Sequence, residues 1–194
     1  FAREGARVVV SDMDVEGGNE TVEQIVALNG DAMFVRTDVS VSAEVQHLVQ
    51  QTIDRYGRLD YACNNAGIGG EAALTADYSE EGWDKVISIN LTGVWLCMKY
   101  EIKEMLKQGG GSIVNMASIL GWVGFQTAPA YVASKHACLG LTKNAAIEYG
   151  TQNMRVNAVC PAFIRTPLIE KTMSEEIIAQ VLTPLKNIGR IGKP

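Results

Sequence analysis

Short β-branched runs alternate with longer amphipathic stretches along almost the whole chain, which restricts it to a narrow class of folds. Residues 6–11 (Ala-Arg-Val-Val-Val-Ser) read as a buried strand, and 15–28 as a helix stopped by Gly30. A strand at 32–36 follows, then a helix capped by Ser40 or Ser42 that runs to about Tyr56 and closes at Gly57. The strand at 59–63 leads into Asn64-Asn65-Ala66-Gly67. Ser79 caps a long helical stretch to about Gln108, which Gly109, Gly110 and Gly111 break. A strand at 112–118, a helix at 129–149 and a strand at 155–160 complete the pattern, and 161–194 adds a helical patch near 174–182. Parallel strands need long crossovers, so this order predicts an α/β chain with a doubly wound, Rossmann-type parallel sheet and helices on both faces. No repeat, linker or low-complexity stretch divides the chain, so one domain spanning 1–194 is expected.

Composition removes several functions. With 47% hydrophobic residues in 194, a sizeable core is affordable. Seventeen basic against 22 acidic residues leave a net charge of -5 and no basic cluster, which argues against a nucleic-acid partner. Apolar runs are too short for a membrane span, and 1–5 does not read as a signal peptide. Cys63, Cys97, Cys138 and Cys160 are widely spaced with no CxxC pair, so no metal site is expected. Free thiols fit a reducing compartment, hence a cytoplasmic protein.

The chemistry concentrates at Tyr131-Val-Ala-Ser-Lys135 on the helix at 129–149. Spacing of four puts Tyr131 and Lys135 on one helix face. A phenol titrates near ~10 and is a poor base at neutral pH, but a nearby ammonium favours the phenolate and lowers that value. Ser118 ends a strand thirteen residues earlier, and ligands in doubly wound folds bind at the carboxyl ends of strands. A serine there can hydrogen-bond a substrate oxygen. Asp12 closes the first strand, where a carboxylate can accept from a ribose diol and repel a 2′-phosphate, favouring NAD over NADP.

At these residues the chain resembles the short-chain dehydrogenase/reductase family, over nearly its whole length. Asn64-Asn65-Ala66-Gly67 matches the family's motif after a central strand, which steadies the sheet and borders the adenosine side of the cofactor. Asn90 matches the helix asparagine that anchors a water in the proton relay, and Ser118, Tyr131 and Lys135 match the catalytic set. Pro161-Ala162-Phe163-Ile164-Arg165-Thr166 matches the segment that holds the carboxamide end of the nicotinamide, through Pro161, Ile164 and Thr166, with Ala162 where the family usually has glycine. Asp38, followed by Val39, takes the position that meets the adenine amino group; for Asp38 a helix-capping role is an equal alternative. The resemblance implies an oxidoreductase that interconverts a secondary alcohol and a ketone by hydride transfer to NAD. Tyr131 would be its general base or acid, and Lys135 would also bind the nicotinamide ribose. It implies a homodimer or homotetramer as well. Apolar residues on more than one face of the two long helices (Val86, Ile89, Val94 and Leu96; Ala137, Leu139, Leu141 and Ala145) fit that assembly. Trp122, Val123 and Phe125 after Ser118, and Leu168, Ile169, Met173, Ile177 and Ile178 in the family's lid, read first as core or subunit contacts. If some line the site, the substrate is small and largely apolar.

One part of the pattern is missing. No glycine-rich turn follows a first strand into a first helix, as phosphate binding in such folds requires. The chain opens at what resembles the end of that first helix, so a longer protein is expected, with a further helix and strand after Pro194. Strands 6–11 and 32–36 should then be separated by a strand-wide gap, roughly 10 Å, from the other three. Two other readings stay open: a non-catalytic binding or assembly module, and an epimerase or dehydratase of the family's extended relatives.

Overall fold

In the computed structural model, residues 1–166, 169–170, 174–182 and 190–193 are described. Among the described residues the named elements follow as β1 (Val8–Asp12), α1 (Val15–Ala27), β2 (Ala32–Arg36), α2 (Ser42–Tyr56), β3 (Tyr61–Asn64), α3 (Glu80–Ile87), α4 (Val94–Lys107), β4 (Gly111–Met116), α5 (Pro129–Tyr149), β5 (Met154–Val159) and α6 (Glu175–Ile177). Every pairing between the five strands is parallel. The ladder is in two pieces, β1–β2 and β3–β4–β5. Among the described residues no pairing joins β1 to β3, which is the break expected between the second strand of such a fold and its fourth. The architecture is a Rossmann-type doubly wound sheet that lacks its first strand and glycine-rich turn.

Local chemistry explains the element limits. Asp14 caps α1 by accepting from the Gly17 N–H, and Ser79 caps α3 by accepting from Gly82. Gly57 closes α2 at φ 77, where a side chain would be strained, and its N–H bonds to Ile53. Two expectations need correction. The stop of α1 is Asn29 at φ 61 rather than Gly30, because an asparagine also tolerates the left-handed turn. The cap of α2 is Val41, without a side-chain bond; Ser40 is drawn instead to Asp38 Oδ1, through its N–H at 2.9 Å and its hydroxyl at 2.6 Å. Glu44 completes that corner by accepting from the Asp38 N–H.

The long helix expected after Ser79 is interrupted. Between α3 and α4, Ser88–Gly93 winds as a π-helix with Asn90 and Gly93 buried. Such wide turns re-aim side chains and recur at functional sites. The main core lies between α4, α5 and the three-stranded sheet, around Met105, Ile113, Cys138, Leu139, Met154 and Val156. A satellite cluster joins Ile178, Leu182 and Ile191 to Phe125, Phe163 and Ile169. Thus Phe125, Ile169 and Ile178 pack together, whereas Ile177 is exposed; Leu168 and Met173 lie outside the described residues. Near its end the chain does return to the body, through a parallel bridge between Ile164 and Gly192. No described helix is long and apolar enough to cross a membrane.

Candidate active site

The residues singled out by sequence collect at the carboxyl ends of the strands. Asp12 ends β1, Asp38 and Val39 follow β2, Asn64 ends β3, and Ser118 and Pro161 lie just beyond β4 and β5. The first of these halves is tied to the second at Val39, whose Cγ2 would stand 2.7 Å from a Cβ on Gly93, at the end of the π segment. Only a glycine permits that approach.

Ser118 is held from both sides. The Ala117 N–H bonds to Val159 O at 2.9 Å and the Ile119 N–H to Pro161 O at 2.8 Å, so the β4–β5 pairing continues past the strand ends. This fixes Ser118 and sets Pro161 beside it. Ser118 is extended and buried, and its Oγ accepts from the Leu120 N–H at 3.1 Å. That bond uses a lone pair and leaves the hydroxyl hydrogen free to donate. The turn after it packs hard on α5: a Cβ on Gly121 would fall 2.8 Å from Lys135 O.

On α5, Tyr131 and Lys135 share a face, as their spacing requires. The Lys135 ammonium is buried, donates to Met116 O at 2.7 Å and lies 5.5 Å from the Tyr131 ring centroid. Burial lowers its pKa, with the Cys138 thiol opposing. The tyrosine shifts opposite to expectation. Burial pushes the Tyr131 phenol up, the Ser118 hydroxyl draws it partly back, and Lys135 contributes nothing resolved. The bond described for the ammonium goes to the end of β4, with the Tyr131 ring alongside.

Asn90 is fully buried and its amide is occupied. Its Oδ1 accepts from the Ile68 N–H at 2.8 Å, and its Nδ2 donates to Ile68 O at 2.9 Å and to Ser134 Oγ at 3.3 Å. Ser134 in turn donates to Tyr131 O at 2.7 Å. Both amide hydrogens are spent on protein partners, and one lone pair of Oδ1 is left to accept. Gly67 sits in the same corner: a Cβ there would lie 3.3 Å from Asn90 Oδ1 and 3.5 Å from Lys135 Nζ.

The expected cofactor contacts divide into side chains and backbone. Asp12 is exposed; its Oδ1 accepts from the Asp14 N–H at 3.0 Å, and no described residue bonds its Oδ2. Asp38 forms a turn with Ser40, whose bonds hold its carboxyl below the usual range, so its side chain is neither the α2 cap nor wholly free. Val39 packs against Val45, Leu96 and Cys97. The Asn64 amide points inward and donates to Glu101 Oε2 and Asn115 Oδ1, both at 3.0 Å. The Asn64 amide hydrogens are thus spent inside, and the Val39 side chain is partly buried. Ala66 and Gly67 are exposed. Pro161, Ile164 and Thr166 are half-buried, in a segment pinned by Pro161 to Ile119 and by Phe163 and Arg165 to Gly192. His136 is exposed and bonds back to Val132 O.

Sequence reasoning missed Gly121, Ser134 and Glu101. Ser134 lies inside Tyr131-Val-Ala-Ser-Lys135, and its position three after Tyr131 could have marked it. Glu101, among lysines on an amphipathic helix, looks like a surface charge. Together the strand-end carboxylate, the exposed 66–67 backbone and the Ser118–Tyr131–Lys135 group suit a nicotinamide dinucleotide, whose diol, adenine and reactive ring need an acceptor, main-chain groups and a proton donor in that order.

Comparison with known proteins agrees. All 194 residues match a family model described as enoyl-(acyl carrier protein) reductase. The chain is 42% identical over 194 residues to a cyclohexanol dehydrogenase of Acinetobacter sp. (strain SE19), covering 100% of this chain and 75% of that protein. It is 42% identical over 177 residues to a short chain dehydrogenase/reductase of Aspergillus oryzae (strain ATCC 42149 / RIB 40), covering 90% of this chain and 68% of that one. The crystal structure of a levodione reductase superposes with a TM-score of 0.91 at 36% identity, covering 99% of this chain and 78% of the other. With the family shown and its motifs placed at the strand ends, this chain belongs to the short-chain dehydrogenase/reductase family, oxidoreductases that act on CH–OH groups with a nicotinamide cofactor.

Proposed function

We propose that the protein interconverts a secondary alcohol and its ketone with NAD, using Tyr131 to move the hydroxyl proton. The observation that carries this reading is the placement of Ser118 just past β4, in a turn packed on α5, with Tyr131 and Lys135 on one face of that helix and the Lys135 ammonium buried 5.5 Å from the Tyr131 ring centroid. Two hydroxyls on neighbouring elements can grip one substrate oxygen. Ser118 donates its free hydrogen to that oxygen and holds it as charge changes. Tyr131 takes the proton in oxidation and returns it in reduction. The nicotinamide, when bound, supplies the hydride acceptor or donor. Burial disfavours the phenolate and the Ser118 hydroxyl offsets this only in part, so oxidation speeds up as pH rises toward the raised phenol pKa. Asp12, with Oδ2 to spare, accepts from the adenosine ribose and disfavours a 2′-phosphate; Asp38, Ala66, Gly67, Pro161, Ile164 and Thr166 complete the cofactor contacts.

The substrate is small and largely apolar. The names of two relatives, a cyclohexanol dehydrogenase and a levodione reductase, favour a cyclic one. The exposed Trp95 of α4 and Ile147 of α5, at 46% and 83%, fit burial against a second copy in a homodimer or homotetramer. Free cysteines, two of them buried, fit the cytoplasm. The test is absorbance at the reduced-nicotinamide band with NAD or NADP and a panel of cyclic and open-chain secondary alcohols. NAD-linked oxidation, fastest on a cyclic alcohol, is expected; no turnover of any alcohol or ketone with either cofactor contradicts the proposal.

A further inference from the structure

Glu101 is the one buried acidic residue among the described residues, and no step above uses it. It stands on α4, 7% exposed, and its Oε2 accepts from Asn64 Nδ2 at 3.0 Å. No described residue bonds its Oε1, and no described lysine or arginine pairs with it. The groups that interact with its charge are the thiols of Cys63 on β3 and Cys97 on α4. A carboxyl group buried without a cation is costly, so its retention calls for a reason.

That reason lies in what Asn64 does next. The Asn64 amide has two hydrogens and spends both inside, one on Glu101 and one on Asn115 Oδ1. Asn115 Nδ2 passes the chain on to Thr142 Oγ1 at 2.9 Å, and Thr142 donates to Cys138 O at 2.8 Å. This line of donors crosses from α4 through β3 and β4 to α5, which also carry Ser118, Tyr131 and Lys135. At its near end Asn64 is the last residue of β3, and the chain after it turns into Ala66, Gly67 and Ile68. That loop is held from the far side by Asn90, which bonds both main-chain groups of Ile68. The loop is thus pinned at two points, and Glu101 supplies half of the first.

We infer that Glu101 is a positioning residue: by fixing the Asn64 amide it sets the 65–68 backbone against Lys135 and Asn90, where the cofactor is to bind. The inference rests on the nicotinamide reading above for its effect on binding, but not for its effect on the loop. Removing the acceptor frees one amide hydrogen in a buried site, so the amide rotates or the loop shifts to satisfy it. Gln at 101 still offers an oxygen to Asn64. Met fills the same volume and offers none.

The experiment compares Glu101→Gln and Glu101→Met with the unmodified protein by amide hydrogen exchange and by NADH titration. Met is expected to raise exchange at 65–68 selectively and to weaken NADH by roughly tenfold, with Gln close to the unmodified protein in both. Unchanged exchange and affinity in the Met variant overturn the inference. So does equal harm from Gln, which would make the charge rather than the acceptor matter, and so does faster exchange spread evenly over the core. An unmodified protein that does not bind NADH sinks the cofactor reading, and the exchange data then decide the role of Glu101 alone. If Met at 101 prevents folding, Glu101→Ala takes its place; failure of both to fold shows that Glu101 serves the whole core and overturns the inference.

Discussion

The two sheets of this molecule are covered very differently. In β1 and β2 no residue is fully buried, and the outer ends of both strands are exposed. In β4 Ser112, Ile113 and Asn115 are buried, and Met154 and Val156 are buried in β5. Asp12 and Asp38 hang from the first sheet, whereas Ser118 continues the second and Tyr131 and Lys135 lie on the helix packed over it. The difference follows from the break in the ladder: no described strand pairs along the open edge of β1, whereas β4 is paired on both sides. Proton transfer needs groups held within about half an ångström, which a close-packed core supplies.

The comparison breaks most readily at the core. Ile113→Ala on β4 should cost about 2–5 kcal/mol, while Val9→Ala on the half-covered β1 should cost about 1 kcal/mol or less. Urea denaturation of the two variants measures both, and equal losses would mean that the sheets are equally packed.

A second effect, of similar or smaller size, is set by pH. Burial, opposed by the Asn64 bond, pushes Glu101 up to about 7 from an ordinary 4.5. The unfolded chain then gives up this proton first, so folding stability falls as pH rises from about 4.5 to 7 and is level beyond. The whole span is on the order of 3 kcal/mol, at about 1.4 kcal/mol per unit. Glu101→Gln removes that fall, so its stability relative to the unmodified protein should improve across this window. Stability curves that stay parallel from pH 4 to 8 would show that Glu101 is not buried as an acid.

The smallest effect is expected on the exposed sheet. Asp12→Ala should narrow the preference for NAD over NADP by about tenfold and leave turnover at saturating NAD unchanged, since both an attraction and a repulsion disappear far from the reacting oxygen. A ratio of kcat/KM values that does not move would remove Asp12 from the ribose site.

Legibility in the sequence follows the same divide between local and buried chemistry. The limits of β2 and α5, the Ser79 cap and the Gly57 stop were readable because each rests on neighbours in the chain. The Tyr131–Lys135 face was readable from spacing alone. The π segment was not, since Val86, Ile89 and Val94 keep a helical apolar pattern straight through it. The α2 cap was misread because Asp38 competes for Ser40: its N–H and hydroxyl donate to Asp38 in a turn, which holds away the oxygen that a cap would use as acceptor. The direction of the Tyr131 shift is set by burial in the folded protein, which no spacing encodes. Glu101 was invisible for a similar reason: only the tertiary fold tells that its neighbours are Asn64 and Cys97 rather than water.

The central claim is that Tyr131 moves the proton while other groups hold the cofactor. Stopped-flow and steady-state kinetics of Tyr131→Phe, with NADH titration alongside, address it most directly. The account predicts a loss of turnover of about a hundredfold or more, with NADH affinity nearly unchanged, and an unmodified enzyme whose alcohol oxidation rises with pH toward the raised phenol pKa. Near-normal turnover in the phenylalanine variant would contradict it.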